Sequence, residues 1–141
     1  MHREDDQQPE AIARWGWRFH HLGIPTDAVT PGETELTELR MYVSGFESSP
    51  FGVQWMRFAP DSPVHDLVRT VPHLAFEVDD LDAALVGKSV LTPPNAPSPG
   101  VLVAMIVDDG CPIELIQFTG DARSALLSGV GRSPDGRSGD P

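Results

Sequence analysis

The sequence VPHLAFEVDDLDAAL at residues 71–85, answered by CPIELIQF at 111–118, decides how this chain folds. Pro72, Leu74, Phe76 and Val78 alternate as a strand would. Asp79 or Asp80 then stands where a helix needs a capping oxygen, Leu81, Ala84 and Leu85 share one side of a short helix, and Gly87 supplies a stop. Three further strands follow in SVLTPP, VLVAMIVDDG and CPIELIQF, the last two joined by DDG, a hairpin turn. Residues 71–119 therefore read strand, helix, strand, strand, strand.

The same text occurs earlier in weaker form. His21-Leu22-Gly23-Ile24 matches His73-Leu74-Ala75-Phe76, and Val53-Gln54-Trp55-Met56-Arg57-Phe58 matches Ile113-Glu114-Leu115-Ile116-Gln117-Phe118 in character, position by position. The histidines lie 52 residues apart and the Gln/Glu pair 60 apart, so the second copy holds about eight extra residues, consistent with a helix that the first copy lacks. In its place stands PTDAVTPGETELTELR, broken by Pro25, Pro31 and Gly32. A repeat of this length marks a supersecondary unit that buries its apolar face only against a second copy.

Alternation along strands sorts the side chains. Leu22, Ile24, Leu74 and Phe76 form the apolar face, with His21 and His73 on the other beside the small Gly23 and Ala75. Gln54 shares a face with Met56 and Phe58, and Glu114 with Ile116 and Phe118, which are expected to floor a cup. Trp55 and Phe76 fall on the non-donor face and read as core, and His20 falls opposite His21 and reads as structural. If the copies pair about a pseudo-twofold axis, His21, Gln54, His73 and Glu114 converge. Two imidazoles, a carboxylate and an amide oxygen suit a divalent transition metal such as Zn, Fe, Mn, Co or Ni with open positions. An inward carboxylate between Ile113 and Leu115 also needs a partner, and no basic residue is near it in sequence.

Composition narrows the rest. The chain has 141 residues and a formal net charge of −11. That length suits one globular domain. Residues 11–120 hold six basic and fourteen acidic residues, so the acidity belongs to the folded part and disfavours nucleic acid and membrane as partners. The N-terminus MHREDDQQPE is neither basic nor apolar, and the longest apolar runs are strand-length, which reads as a soluble cytoplasmic protein. The single Cys111 makes no internal disulfide and no thiolate cluster, leaving His and carboxylate for any metal. Residues 1–14 and 121–141 read as disordered tails around one domain at 15–120, with modules at about 17–70 and 71–119.

FHHLGI, VPHLAFEVDDLDAAL, GVQWMRF and CPIELIQF together resemble the vicinal oxygen chelate superfamily, the glyoxalase, bleomycin-resistance and extradiol-dioxygenase group, over residues 17–119. The resemblance implies an α+β fold of two βαβββ modules forming a curved, cup-like mixed sheet, here with a reduced helix in the first. It also implies a homodimer, and metal ligands at His21, Gln54, His73 and Glu114. A His/Gln/His/Glu set is similar to that of methylmalonyl-CoA epimerase, whereas glyoxalase I would carry a carboxylate at position 54. The implied activity is metal-dependent proton transfer, of the lyase or isomerase kind, on a small substrate chelated through vicinal oxygens. Glu114 is the catalytic candidate, loosening from the metal to act as base, and Glu38, Glu47 and His65 are further candidates. The paucity of basic residues disfavours a coenzyme A ester. Two alternatives remain open: a two-His-one-carboxylate Fe(II) dioxygenase that does not use Gln54, and a metal-free drug-binding cup.

Overall fold

The computed structural model describes residues 8–119. Residues 1–7 and the C-terminal tail expected at 121–141 lie outside the described residues. In chain order the elements are α1 (Glu10–Ala13), β1 (Arg18–Pro25), β2 (Thr34–Leu36), a 3-10 turn (Thr37–Leu39), β3 (Met41–Ser44), β4 (Val53–Phe58), α2 (Asp66–Thr70), β5 (His73–Glu77), α3 (Leu81–Leu85), β6 (Val90–Ser98), β7 (Val101–Asp108) and β8 (Cys111–Phe118). Among the described residues no helix is long and apolar enough to cross a membrane.

The strands form one mixed eight-stranded sheet in the order β2-β3-β4-β1-β5-β8-β7-β6, curled into a half-barrel with short helices, a cup-like α+β fold. That order is symmetric about its centre. β1 runs parallel to β4 as β5 does to β8, the outer pairs are antiparallel, and β1 meets β5 antiparallel in the middle. The repeat is therefore a twofold in the sheet, passing through the Leu22–Leu74 pair. His21 lies opposite Ala75, and His73 opposite Gly23.

Local chemistry explains the second module closely. The Asp80 carboxylate accepts from the Ala83 N–H at 3.2 Å and caps α3. Gly87 takes φ +77° just past the helix, the left-handed conformation that glycine supplies at a helix end. Asp109 and Gly110 both have positive φ in the β7–β8 turn, as a two-residue hairpin that follows the sheet's twist requires. Pro93, Pro94 and Pro97 lie in β6, an outermost strand, where a missing N–H leaves fewer ladder bonds unmade.

Differences from the sequence reading have physical causes. The N-terminal tail expected through residue 14 includes helix α1, whose Ala11 and Ile12 pack against the core and whose Ala11 carbonyl accepts from the Trp17 N–H at 2.9 Å. The segment APDSPVHDLVRT, read as a loop, contains α2, with the ring of His65 accepting from the Leu67 N–H. The main core gathers Trp17, Phe76, Val78, Leu81, Ala104, Ile106 and Leu115 under α3 and α1. Phe76 is core as expected, but Trp55 is 43% exposed. The first module has no α-helix in the link from β1 to β3, whereas α3 packs on β7 and β8 in the second.

Leu115 is fully buried on β8, between Phe76 of β5 and Ala104 of β7. L115A should lower stability by about 3 kcal/mol, the usual cost of a large-to-small change in a core. V86A, at an exposed position, should change it by less than about 0.5 kcal/mol. Urea unfolding of both variants checks the pair.

Candidate metal centre

The centre is built from β1, β5 and β8. His21, His73 and Glu114 face the inside of the cup because the residues opposite them in the ladder, Ala75, Gly23 and again Ala75, share that face. The two histidines are buried, with side chains 6% and 4% exposed, whereas that of Glu114 keeps 21% and so a path to solvent. Ala75 and Ile116, with Val101, form a small buried cluster on this side, and Val103 and Phe118 pack against it. Met56 is buried too. Of the expected floor of Met56, Phe58, Ile116 and Phe118, Met56 and Ile116 are buried and the two phenylalanines partly so.

Three donor atoms converge. His73 Nε2 lies 3.1 Å from Glu114 Oε1 and 3.3 Å from His21 Nε2, and His21 Nε2 lies 3.4 Å from the same carboxylate oxygen. These edges form a nearly equilateral triangle. For metal–ligand bonds of about 2.1 Å, neighbouring ligand atoms stand about 3.0 Å apart at a right angle and about 3.4 Å apart at the tetrahedral angle. The observed edges fall between those limits, so the three atoms fit one face of the coordination shell of a single divalent ion. His21, His73 and Glu114 are placed to chelate a metal.

Each ring is held differently. A Cβ built on Gly23 would come within 2.7 Å of both ring nitrogens of His73 and closer still to Cε1, so His73 lies flat against a position that only glycine can fill. Its Nδ1 is buried and has no hydrogen-bond partner among the described residues, so beyond the contacts of Nε2 the ring is held by packing. His21 is fixed by a neighbour. Its Nδ1 lies 2.7 Å from Nδ1 of His20, and the His20 ring stacks on Phe46 at 4.9 Å and 14°.

That placement corrects the reading of His20 as a residue of the opposite face. Register shifts in the β1–β5 ladder between Phe19 and His21, a bulge that sets the extra residue against one partner position. His20 consequently joins His21 inside, within 5.8 Å of the Phe118 ring. Phe46, which follows Gly45 at φ +92°, also meets His21 edge-on. The His-His doublet was the one visible sign of His20's involvement, and strict alternation hid it; nothing in the sequence marked Phe46.

Burial pushes the Glu114 carboxyl up, but hydrogen bonding and charge from His21 and His73 outweigh it and hold its pKa well below the usual carboxylate range. Glu114 is thereby kept ionised, the form a metal ligand needs.

Gln54 lies opposite Gly23 across β1–β4, just as Glu114 lies opposite Ala75 across β5–β8. It occupies the twofold equivalent of Glu114, on the same face of the sheet. His65 caps α2, Glu38 is exposed in the 3-10 turn, and Glu47 is exposed in the loop after β3.

Among solved structures, the crystal structure of hypothetical protein BH1468 from Bacillus halodurans C-125 matches with a TM-score of 0.56 at 14% identity, over 74% of this chain and 96% of that one. At that identity the likeness concerns the fold alone, and the curled eight-stranded sheet is consistent with a glyoxalase-like fold. No protein-family model and no curated protein matches the chain.

Two outcomes follow from this geometry. G23A should cost about 1–3 kcal/mol through overpacking and move the His73 ring resonances; an unchanged urea midpoint with unchanged His73 signals would contradict the packing account. Because the folded-state pKa of Glu114 is lowered, its contribution to stability is present above its unfolded value of about 4.3 and is lost as pH falls through the folded one. The difference in unfolding free energy between the native chain and E114Q should therefore shift against the native chain as pH is lowered from about 5 towards 2.

Proposed function

We propose that this chain is a divalent-metal enzyme that binds a small substrate through two neighbouring oxygens and moves a proton at the carbon beside them. The observation that carries this reading is the triangle of His21 Nε2, His73 Nε2 and Glu114 Oε1, with edges of 3.1–3.4 Å. His21, His73 and Glu114 hold the ion, and Gln54 completes the set from the matching strand. When bound, the ion supplies Lewis acidity, which for negative charge developing on a chelated oxygen is worth several kcal/mol of barrier.

The chain's own residues account for the rest. His21 and His73 must present neutral Nε2 lone pairs, so each carries its ring proton on Nδ1. In the metal-free chain the two histidines hold Glu114 ionised; with their Nε2 lone pairs turned to an ion, the ion's charge would do so instead. Glu114 accepts a substrate proton only when its carboxylate turns from the centre, and its partly exposed side chain gives it room to turn. Ile116 and Phe118 exclude water beneath the substrate. The scarcity of basic residues favours a compact substrate without several phosphates.

A second reading rests on the same three donors. Two histidines and one carboxylate without Gln54 form the set that suits Fe(II) and dioxygen, with a catechol as substrate. Gln54 separates the two readings.

Elemental analysis should find about one divalent ion per native chain, little in H73A, and binding weakened about tenfold or more in Q54A. Equal metal in native protein and H73A would remove the proposal, and absence of metal from both would leave a metal-free binding cup. If Q54A keeps full affinity and the Fe(II)-loaded chain consumes oxygen with a catechol, the oxygenase reading replaces proton transfer.

A further inference from the structure

We infer that His20 is a positioning residue of this centre, accepting the Nδ1 proton of His21 and so fixing both the tautomer and the orientation in which His21 offers Nε2. The inference rests on the metal reading above. At 2.7 Å between the two Nδ1 atoms, one nitrogen donates and the other accepts. When His21 Nε2 serves as ligand its proton must sit on Nδ1, which makes His21 the donor and the His20 Nδ1 lone pair the acceptor.

Three features hold His20 in that role. The bulge at Phe19–His21 brings two consecutive side chains to one face, which regular alternation forbids. The near-parallel stack on Phe46 fixes the plane of the acceptor ring. Phe118, whose strand β8 carries Glu114, flanks the ring from another side. The second copy lacks the device, since Pro72 occupies the position before His73 and the Nδ1 of His73 is left without a partner among the described residues. One ligand is thus oriented by a hydrogen bond and the other by packing on Gly23.

The test uses the full chain with zinc alone as probe. H20F keeps an aromatic ring against Phe46 and has no acceptor, whereas H20N places an amide oxygen near the site of the lost Nδ1. Competition with a chromophoric chelator should show zinc affinity reduced about 10–100-fold in H20F and within about fivefold of native in H20N, with thermal melting of the metal-free proteins alike. In the zinc-bound native chain, ¹⁵N NMR should show a proton on His21 Nδ1 with coupling across the hydrogen bond to His20 Nδ1, a readout independent of how the variants fold. Native affinity in H20F, equal losses in H20F and H20N, or absence of that coupling would overturn the role of His20 while leaving the metal site standing. Failure of the native chain to take up zinc or any other divalent ion would overturn both.

Discussion

The centre depends on a reciprocal fit across the middle of the sheet, where each copy's histidine faces the small residue of the other. His21 stands opposite Ala75 and His73 opposite Gly23, on either side of the Leu22–Leu74 pair through which the pseudo-twofold runs. Antiparallel strands put directly opposed Cα atoms about 5 Å apart, so two imidazoles can lean towards one another only if what lies opposite each is nearly nothing. The leucines of the same pair point the other way, and Leu74 packs with the apolar side of the sheet. One tripeptide pattern, His-Leu-small repeated, thus specifies the register of the central ladder, the orientation of the core and the meeting of the two histidines. A slip by one residue would turn both histidines outward and both leucines in, so the apolar core and the polar site enforce the same register.

Much of this was legible because repeat and alternation are strong signals that agree. The pairing of modules, the strand–helix–strand order of residues 71–119, the Asp80 cap, the turn at Asp109-Gly110 and the convergence of His21, His73 and Glu114 all follow from local chemistry together with period-two faces. What was not legible has a common cause. A bulge adds one residue to a strand without leaving a mark in composition, so His20 was assigned to the wrong face although His21, counted from the matching His73, was not. Trp55 illustrates the converse. Its face was read correctly, but whether an outer face becomes core depends on whether a helix covers it, and β4 carries no such cover. Helix α1 was missed because four residues bracketed by charge carry almost no periodic signal, while the contacts of Ala11 and Ile12 that stabilise it are tertiary.

The two copies have diverged in ways that divide labour at the site. On the β4/β8 pair, a neutral amide at position 54 stands where the other copy has the carboxylate of Glu114, which limits negative charge near the centre to one group. A second carboxylate there would add like-charge repulsion beside Glu114 and raise the pKa of one or both. With a single carboxylate and two imidazoles around it, a divalent ion would keep a net positive charge.

The two sides of the central ladder also differ in backbone, with the bulge on β1 and none on β5. Where β5 is regular, His73 comes down against β1 so closely that no Cβ is tolerated at position 23. Where β1 is bulged, the methyl of Ala75 is accepted opposite His21, and the inserted residue turns inward beside it. The bulge on one side recruits a neighbour, and on the regular side glycine is needed. An exchange of the two small residues, glycine to 75 and alanine to 23, would conserve composition yet set a Cβ against the His73 ring, because the need for glycine lies at one of the two positions and not at both.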